Sequence, residues 1–154
     1  MHVRPATDSD IPAIVRVTNL AYAVETFIDG TRTDESDVAR HMSSGRFLLA
    51  EDAQGIAASV YVEINSARGY FGMLSVDPVR QGTGLGRVMI EAAERFAREH
   101  GCTHMDITVL SLRTELPPFY RKFGYREIGT EPFLLEAGRQ LSEPCHCILM
   151  EKPL

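Results

Sequence analysis

Gln81-Gly82-Thr83-Gly84-Leu85-Gly86-Arg87 stands between a short run of alternating apolar residues and a long run with helical spacing. Strand, glycine-rich turn, then helix is a recipe for holding a phosphate. The first turn of a helix leaves several backbone N–H groups unpaired at the positive end of its dipole. Glycines let an anion approach that backbone without Cβ atoms in the way. Gly82, Gly84 and Gly86 fall at the turn into the helix, and that arrangement suits a diphosphate.

Working outward, residues 84–100 are predicted as the central helix. Leu85, Val88, Met89, Ala92, Ala93 and Phe96 recur at intervals of three and four and form one apolar stripe. Glu91 with Arg95, and Glu94 with Arg98, are expected as i,i+4 pairs on the solvated side. Upstream, strands are predicted over 46–51, 57–64 and 70–76, joined by turns short enough to imply an antiparallel meander. In the second of them Val60, Val62 and Ile64 share one face, and Tyr61 and Glu63 the other.

Before the meander the sequence predicts a strand over 2–6, a helix capped by Thr7–Asp10 and running to about Tyr22, a loop over 24–33 and a second helix over 34–44. After the central helix come a strand over 105–110, a short helix over 116–123, and strands over 125–129 and 147–151. The order implies an α/β (α+β) sandwich on a mixed sheet, with residues 1–154 as a single domain.

Three readings compete for the loop. A P-loop needs Lys-Ser or Lys-Thr after its last glycine, and none follows Gly86. A dinucleotide fingerprint needs G-x-G-x-x-G in a first βα unit. Here the third glycine comes one residue early, Arg87 fills its place, and the strands before the loop are antiparallel.

The third reading is that residues 81–86 resemble motif A, [QR]-x-x-G-x-[GA], of the GNAT acyl-CoA N-acyltransferase superfamily. Leu74-Ser75-Val76 ends the preceding strand, and Asp77-Pro78 turns into the loop, as in that family. Downstream, Phe119-Tyr120-Arg121-Lys122-Phe123-Gly124-Tyr125 is similar to the family's "[LF]-Y-x-[KR]-x-G-[FY]" segment. Two departures stand out: Arg113 where Asn is frequent, and Leu116-Pro117-Pro118 where small residues usually precede the tyrosine. A late start for the short helix is the expected consequence.

The resemblance implies a mostly antiparallel central sheet with a splayed strand pair and about four flanking helices. It also implies acetyl-CoA as cosubstrate and direct attack by a primary amine of a small molecule or peptide. The pantetheine arm would lie on the backbone of Leu74, Ser75 and Val76. The pyrophosphate would lie on the N–H groups of Gly82, Thr83, Gly84, Leu85, Gly86 and Arg87, and Gln81 would also bind the cofactor. Tyr120 holds the family's position for the acid that protonates the leaving thiolate; a phenol with pKa near 10 is protonated at neutral pH. The competing account makes Tyr120 a packing aromatic between Phe119 and Phe123. Glu63 and Glu115 are candidates for the base, each also readable as an ordinary solvated carboxylate, and water is an alternative to both. Residues 22–33 and 111–118 are expected to face the acceptor, with Arg32 and Arg113 available to a carboxylate on it. A non-catalytic acyl-CoA sensor is the alternative function.

Charge and cysteine content bound the remaining classes. Sixteen basic against 21 acidic residues give a net charge of −5, which disfavours nucleic-acid and anionic-membrane partners. A homodimer is left open. Cys102, Cys145 and Cys147, in a chain that opens directly on folded sequence, fit free thiols and a cytoplasmic protein. His100-x-Cys102-x-His104 and Cys145-His146-Cys147 carry ligand types without zinc-finger spacing, so no metal is expected.

Overall fold

The computed structural model describes residues 1–135 and 139–154. The chain runs β1 (His2–Pro5), α1 (Ile11–Tyr22), α2 (Glu35–Ser44), β2 (Arg46–Asp52), β3 (Gly55–Asn65), β4 (Arg68–Val76), α3 (Leu85–Glu99), β5 (His104–Leu110), α4 (Leu116–Arg121), β6 (Arg126–Pro132) and β7 (His146–Pro153). All seven strands form one sheet in the order β1-β2-β3-β4-β5-β7-β6. The 46–76 meander is antiparallel as expected, and β4–β5 is the parallel contact.

Strand alternation builds two cores. Leu48, Ala50, Val60, Val62 and Phe71 meet Met89, Ile90, Ala93 and Ala97 of α3 on one face. Phe47, Leu49, Tyr61 and Met73 meet Ile14 and Val17 of α1 and Val38 of α2 on the other. The helix starts are fixed locally. The Asp10 carboxylate accepts from Thr7 N–H at 2.8 Å and from both terminal nitrogens of Arg4 at 2.8 and 2.9 Å. Asp34 caps α2 by accepting from Asp37 N–H at 2.8 Å.

The stripe on α3 differs from the expected one. Its buried residues are Leu85, Met89, Ile90, Ala93, Glu94 and Ala97, while Val88 is 38% exposed. Glu94, expected on the solvated side, is 3% exposed. The Tyr125 hydroxyl donates to it at 2.7 Å, and Lys152 Nζ lies 3.0 Å from both its oxygens. Those partners come from the far end of the chain and satisfy a carboxylate that helical periodicity alone assigns to water. Glu91 pairs with Arg87 at 3.9 Å in place of Arg95.

An irregularity in β4 opens the sheet. Ser59 lies opposite Ser75, but Tyr61 lies opposite Gly72, so three steps along β4 answer two along β3. The extra residue is taken up near Met73, whose φ of 52° is left-handed. A bulge of this kind bends and twists the bulged strand. Pairing with β5 is accordingly confined to Arg68, Gly69 and Tyr70. Beyond Tyr70 the two strands part, giving the splayed pair, and the β5-facing backbone groups of residues 71–76 have no strand partner among the described residues.

Candidate active site

Two cavities adjoin beside β4 where it parts from β5. One, of about 490 Å³, runs under the α3 N-terminus between the 80–87 turn and α4. The other, of about 350 Å³, lies between β4–β5, the 23–33 loop, residues 133–135 and Arg139. Tyr22, Leu74, Leu116 and Tyr120 line both and mark where the cavities meet.

The larger cavity has the features of a diphosphate cradle. Gly82 and Gly84 adopt φ of 81° and 85°, a region open to glycine and strained for other residues. The first backbone bond of α3 is Val88 N–H to Gly84 O at 3.2 Å. The N–H groups of residues 82–87 therefore have no acceptor among the described residues. Leu74, Val76, Gln81, Gly82, Gly84, Leu85, Gly86 and Arg87 line the cavity. Ser75 and Thr83 do not. The Ser75 hydroxyl is buried and donates to Met73 O at 3.0 Å, and the Thr83 hydroxyl donates to Arg80 O at 2.5 Å. What these two can offer a ligand is backbone.

Tyr120 sits at the junction, 7% exposed, with its ring 5.1 Å from Phe119 and 6.0 Å from both Phe71 and Tyr125. Burial pushes its phenol well above the ordinary value, so it is a donor throughout the neutral range. Its hydroxyl has no protein partner among the described residues. The hydroxyls of Tyr22 and Tyr70 are likewise unpartnered, and three phenols thus face one space. Burial raises Tyr22 to about 12.

The expected late start of α4 does not occur. Pro117 and Pro118 occupy its first turn, where a missing N–H costs nothing, so the helix begins at Leu116. Arg113 lines the larger cavity and is bound on its other side, donating to Glu25 at 2.7 Å and to Glu115 at 3.3 Å.

Neither carboxylate singled out from the sequence lines a cavity. Glu63 accepts from the Tyr61 hydroxyl at 2.7 Å, and Glu115 is exposed beside Arg113. Among the described residues Glu25 is the one carboxylate that lines the smaller cavity. Its position in an aperiodic loop gave no pattern to find it by. The lining by Phe133, Leu134, Leu135 and Arg139 was also missed. Arg139 is held there by donating to Asp29 O at 2.9 Å, and Gln140 N–H donates to Asp29 Oδ1 at 2.8 Å. An isolated bridge from Ile28 to Leu141 completes the seam.

The ligand-type residues elsewhere are dispersed. His100 Nδ1 lies 2.8 Å from Phe96 O, Cys102 is buried, and the Ser111 hydroxyl donates to Cys145 Sγ at 3.7 Å. Among the described residues no group of three His, Cys, Asp or Glu side chains is placed to hold a metal, and no helix is long and apolar enough to cross a membrane.

A split sheet whose opening is floored by a left-handed glycine turn and a helix N-terminus defines an acyl-CoA-type fold. The family model of the acetyltransferase (GNAT) domain matches residues 15–136, and the chain belongs to that family. It is 29% identical over 125 residues to streptothricin acetyltransferase of Streptomyces lavendulae, a match covering 81% of this chain and 63% of that protein's length. The fold is shared with the ribosomal-protein-S18-alanine N-acetyltransferase of Escherichia coli, at a TM-score of 0.79 and 16% identity over 99% of this chain and 92% of the other. A phosphinothricin acetyltransferase from Sinorhizobium meliloti, solved with acetyl-CoA, superposes at a TM-score of 0.75 and 17% identity over 99% and 88%.

Proposed function

We propose that this chain, with residues 1–154 acting as one domain, transfers the acetyl group of acetyl-CoA to a primary amine by direct attack. The carrying observation is the meeting of the two cavities at the unpartnered Tyr120 hydroxyl. The free N–H groups of residues 82–87 take the pyrophosphate. The open edge of β4 at Leu74, Ser75 and Val76 takes the amides of the pantetheine arm and steers the thioester toward Tyr120. Unpaired N–H groups on that edge also face the oxygen that gains charge as the amine attacks.

As the carbon–sulfur bond breaks, the Tyr120 hydroxyl gives its proton to the departing thiolate, and the acceptor nitrogen loses one to solvent or a carboxylate. The free thiols Cys102, Cys145 and Cys147 support a reducing, cytoplasmic setting. The test is a broad amine panel with acetyl-CoA and thiol detection, preceded by calorimetry with acetyl-CoA and NAD. Binding of acetyl-CoA but not NAD, with CoA release for at least one amine, is expected. NAD binding without acetyl-CoA binding would overturn the reading, and acetyl-CoA binding with no turnover would make the protein an acyl-CoA sensor.

A further inference from the structure

Resting on the acetyl-transfer reading above, we infer that the acceptor is a small amine carrying a carboxylate, of the size and kind of a free α-amino acid. The inference comes from the charges lining the smaller cavity. Arg32 and Arg139 face it with one carboxylate, Glu25, and Glu25 is already bound by Arg113 at 2.7 Å. A chain of net charge −5 thus presents a cationic pocket.

Neither arginine has a carboxylate partner among the described residues. The Arg32 guanidinium carbon lies 5.2 Å from the centre of the Tyr22 ring, a stacking contact that positions the group and leaves its N–H donors free. Arg139 is aimed by carbonyls: Nε and Nη2 donate to Asp29 O at 3.3 and 2.9 Å, and Nη2 to Thr31 O at 3.2 Å. Both are partly buried. Partly buried guanidinium groups with no carboxylate partner among the described residues are available to an oxyanion, and a planar fork matches a carboxylate. The Tyr22 and Tyr70 hydroxyls add two unpartnered donors to the same wall. A polycationic acceptor would meet like charge from both arginines.

The polarity of the site follows from Glu25. Arg113 engages its Oε2 alone, leaving Oε1 for an ammonium group. Arg113 also lines the cosubstrate cavity, so Glu25 stands at the end of the acceptor pocket nearest the thioester. The amine is held there, and the carboxylate lies toward Arg32 and Arg139. Ligand pockets run roughly 300–1,000 Å³, so about 350 Å³ is room for one small molecule. Of the two arginines the sequence offered for a carboxylate, Arg32 is retained; Arg113 is occupied, and Arg139 takes its place.

The experiment compares each proteinogenic L-amino acid with its carboxamide and its decarboxylated amine, with spermidine as a polycation. It uses the intact chain and acetyl-CoA, reading thiol release and acetylated product by mass spectrometry. At least one free acid is expected to exceed its amide and amine in kcat/KM by about tenfold or more, the scale of a lost charge-assisted hydrogen bond. For that acid, Arg32→Gln and Arg139→Gln should each raise its KM by a similar factor and leave the KM for acetyl-CoA unchanged. Amides, decarboxylated amines or spermidine turned over as well as the acids would overturn the inference and leave acetyl transfer standing. Inert acids in a protein that binds acetyl-CoA would overturn it as well. Failure to bind acetyl-CoA would instead bring down the reading on which it rests.

Discussion

Nη1 of Arg113 donates to Oε2 of Glu25 at 2.7 Å, joining side chains 88 positions apart that are 17% and 7% exposed. The pair ties the loop after α1 to the loop before α4. Its two members are unequal, because Arg113 keeps the exposed Glu115 at 3.3 Å as a second partner and Glu25 has no other among the described residues. Arg113→Met should therefore cost more stability than Glu25→Gln, about 3 kcal/mol against about 1, since it strands a buried carboxylate. The double variant should lose less than the sum. Urea denaturation of the four proteins measures all three terms, and strict additivity would show that the pair does not couple.

Tyr120→Phe keeps the ring among Phe71, Phe119 and Tyr125 and removes the proposed proton donor. Cosubstrate affinity should hold while kcat falls by about a hundredfold, provided chemistry limits turnover. A pre-steady-state burst would show that it does not, and the assay should exclude one first. Wild-type kcat under chemistry-limited conditions would leave Tyr120 a packing residue and require another acid.

A Cβ built at Gly86 meets nothing closer than Phe119 Cζ at 3.8 Å, so Gly86→Ala is expected to fold with an unchanged melting temperature. Gly86 lines the larger cavity, and in the proposed complex the added methyl would meet the diphosphate at the α3 N-terminus. Affinity for CoA should drop by about tenfold or more in calorimetry. Gly84→Val adds backbone strain at φ 85° and should lose both affinity and stability. Undiminished CoA binding by a folded Gly86→Ala would move the diphosphate elsewhere.

The Arg4 hydrogen bonds, followed by that from Thr7 N–H, hold the Asp10 carboxyl down at about 2, below its ordinary 3.8. A depressed folded-state pKa gives stability that is present above the unfolded value and is lost as pH falls from about 4 toward about 2. Because Arg4 remains partly solvated, the contribution is about 1 kcal/mol. Asp10→Asn should be less stable than wild type at pH 6 and lose less between pH 5 and pH 2. Parallel acid limbs in chemical denaturation would remove Asp10 from the account.

The elements legible in the sequence were those whose physics is local. The glycine turn, the meander and all four helices announce themselves through backbone freedom, turn residues and periodicity, and each was found within a few residues. What escaped was set by distant partners. Glu94 is inside because Tyr125, just before β6, and Lys152 of β7 reach it. Glu25 lines the cavity because Arg113 holds it there, and Arg139 because it is bonded to the Asp29 and Thr31 carbonyls. No spacing rule encodes a contact made across a hundred residues. Met73 carries no mark of its left-handed backbone either, since methionine is not a residue that favours that region.

The left-handed step at Met73 makes the binding cleft a matter of counting. Phe71 and Met73, two apart in sequence, serve opposite cores, so the strand changes allegiance halfway along. Removing one residue there would restore the strict alternation of a regular strand and let β4 close against β5 along its full length. The shorter chain would be the more orderly sheet and would have no room for a thioester. Capacity to bind is carried here by an insertion of one residue, and a length change at 71–75 is therefore far more consequential than any conservative substitution in the same strand.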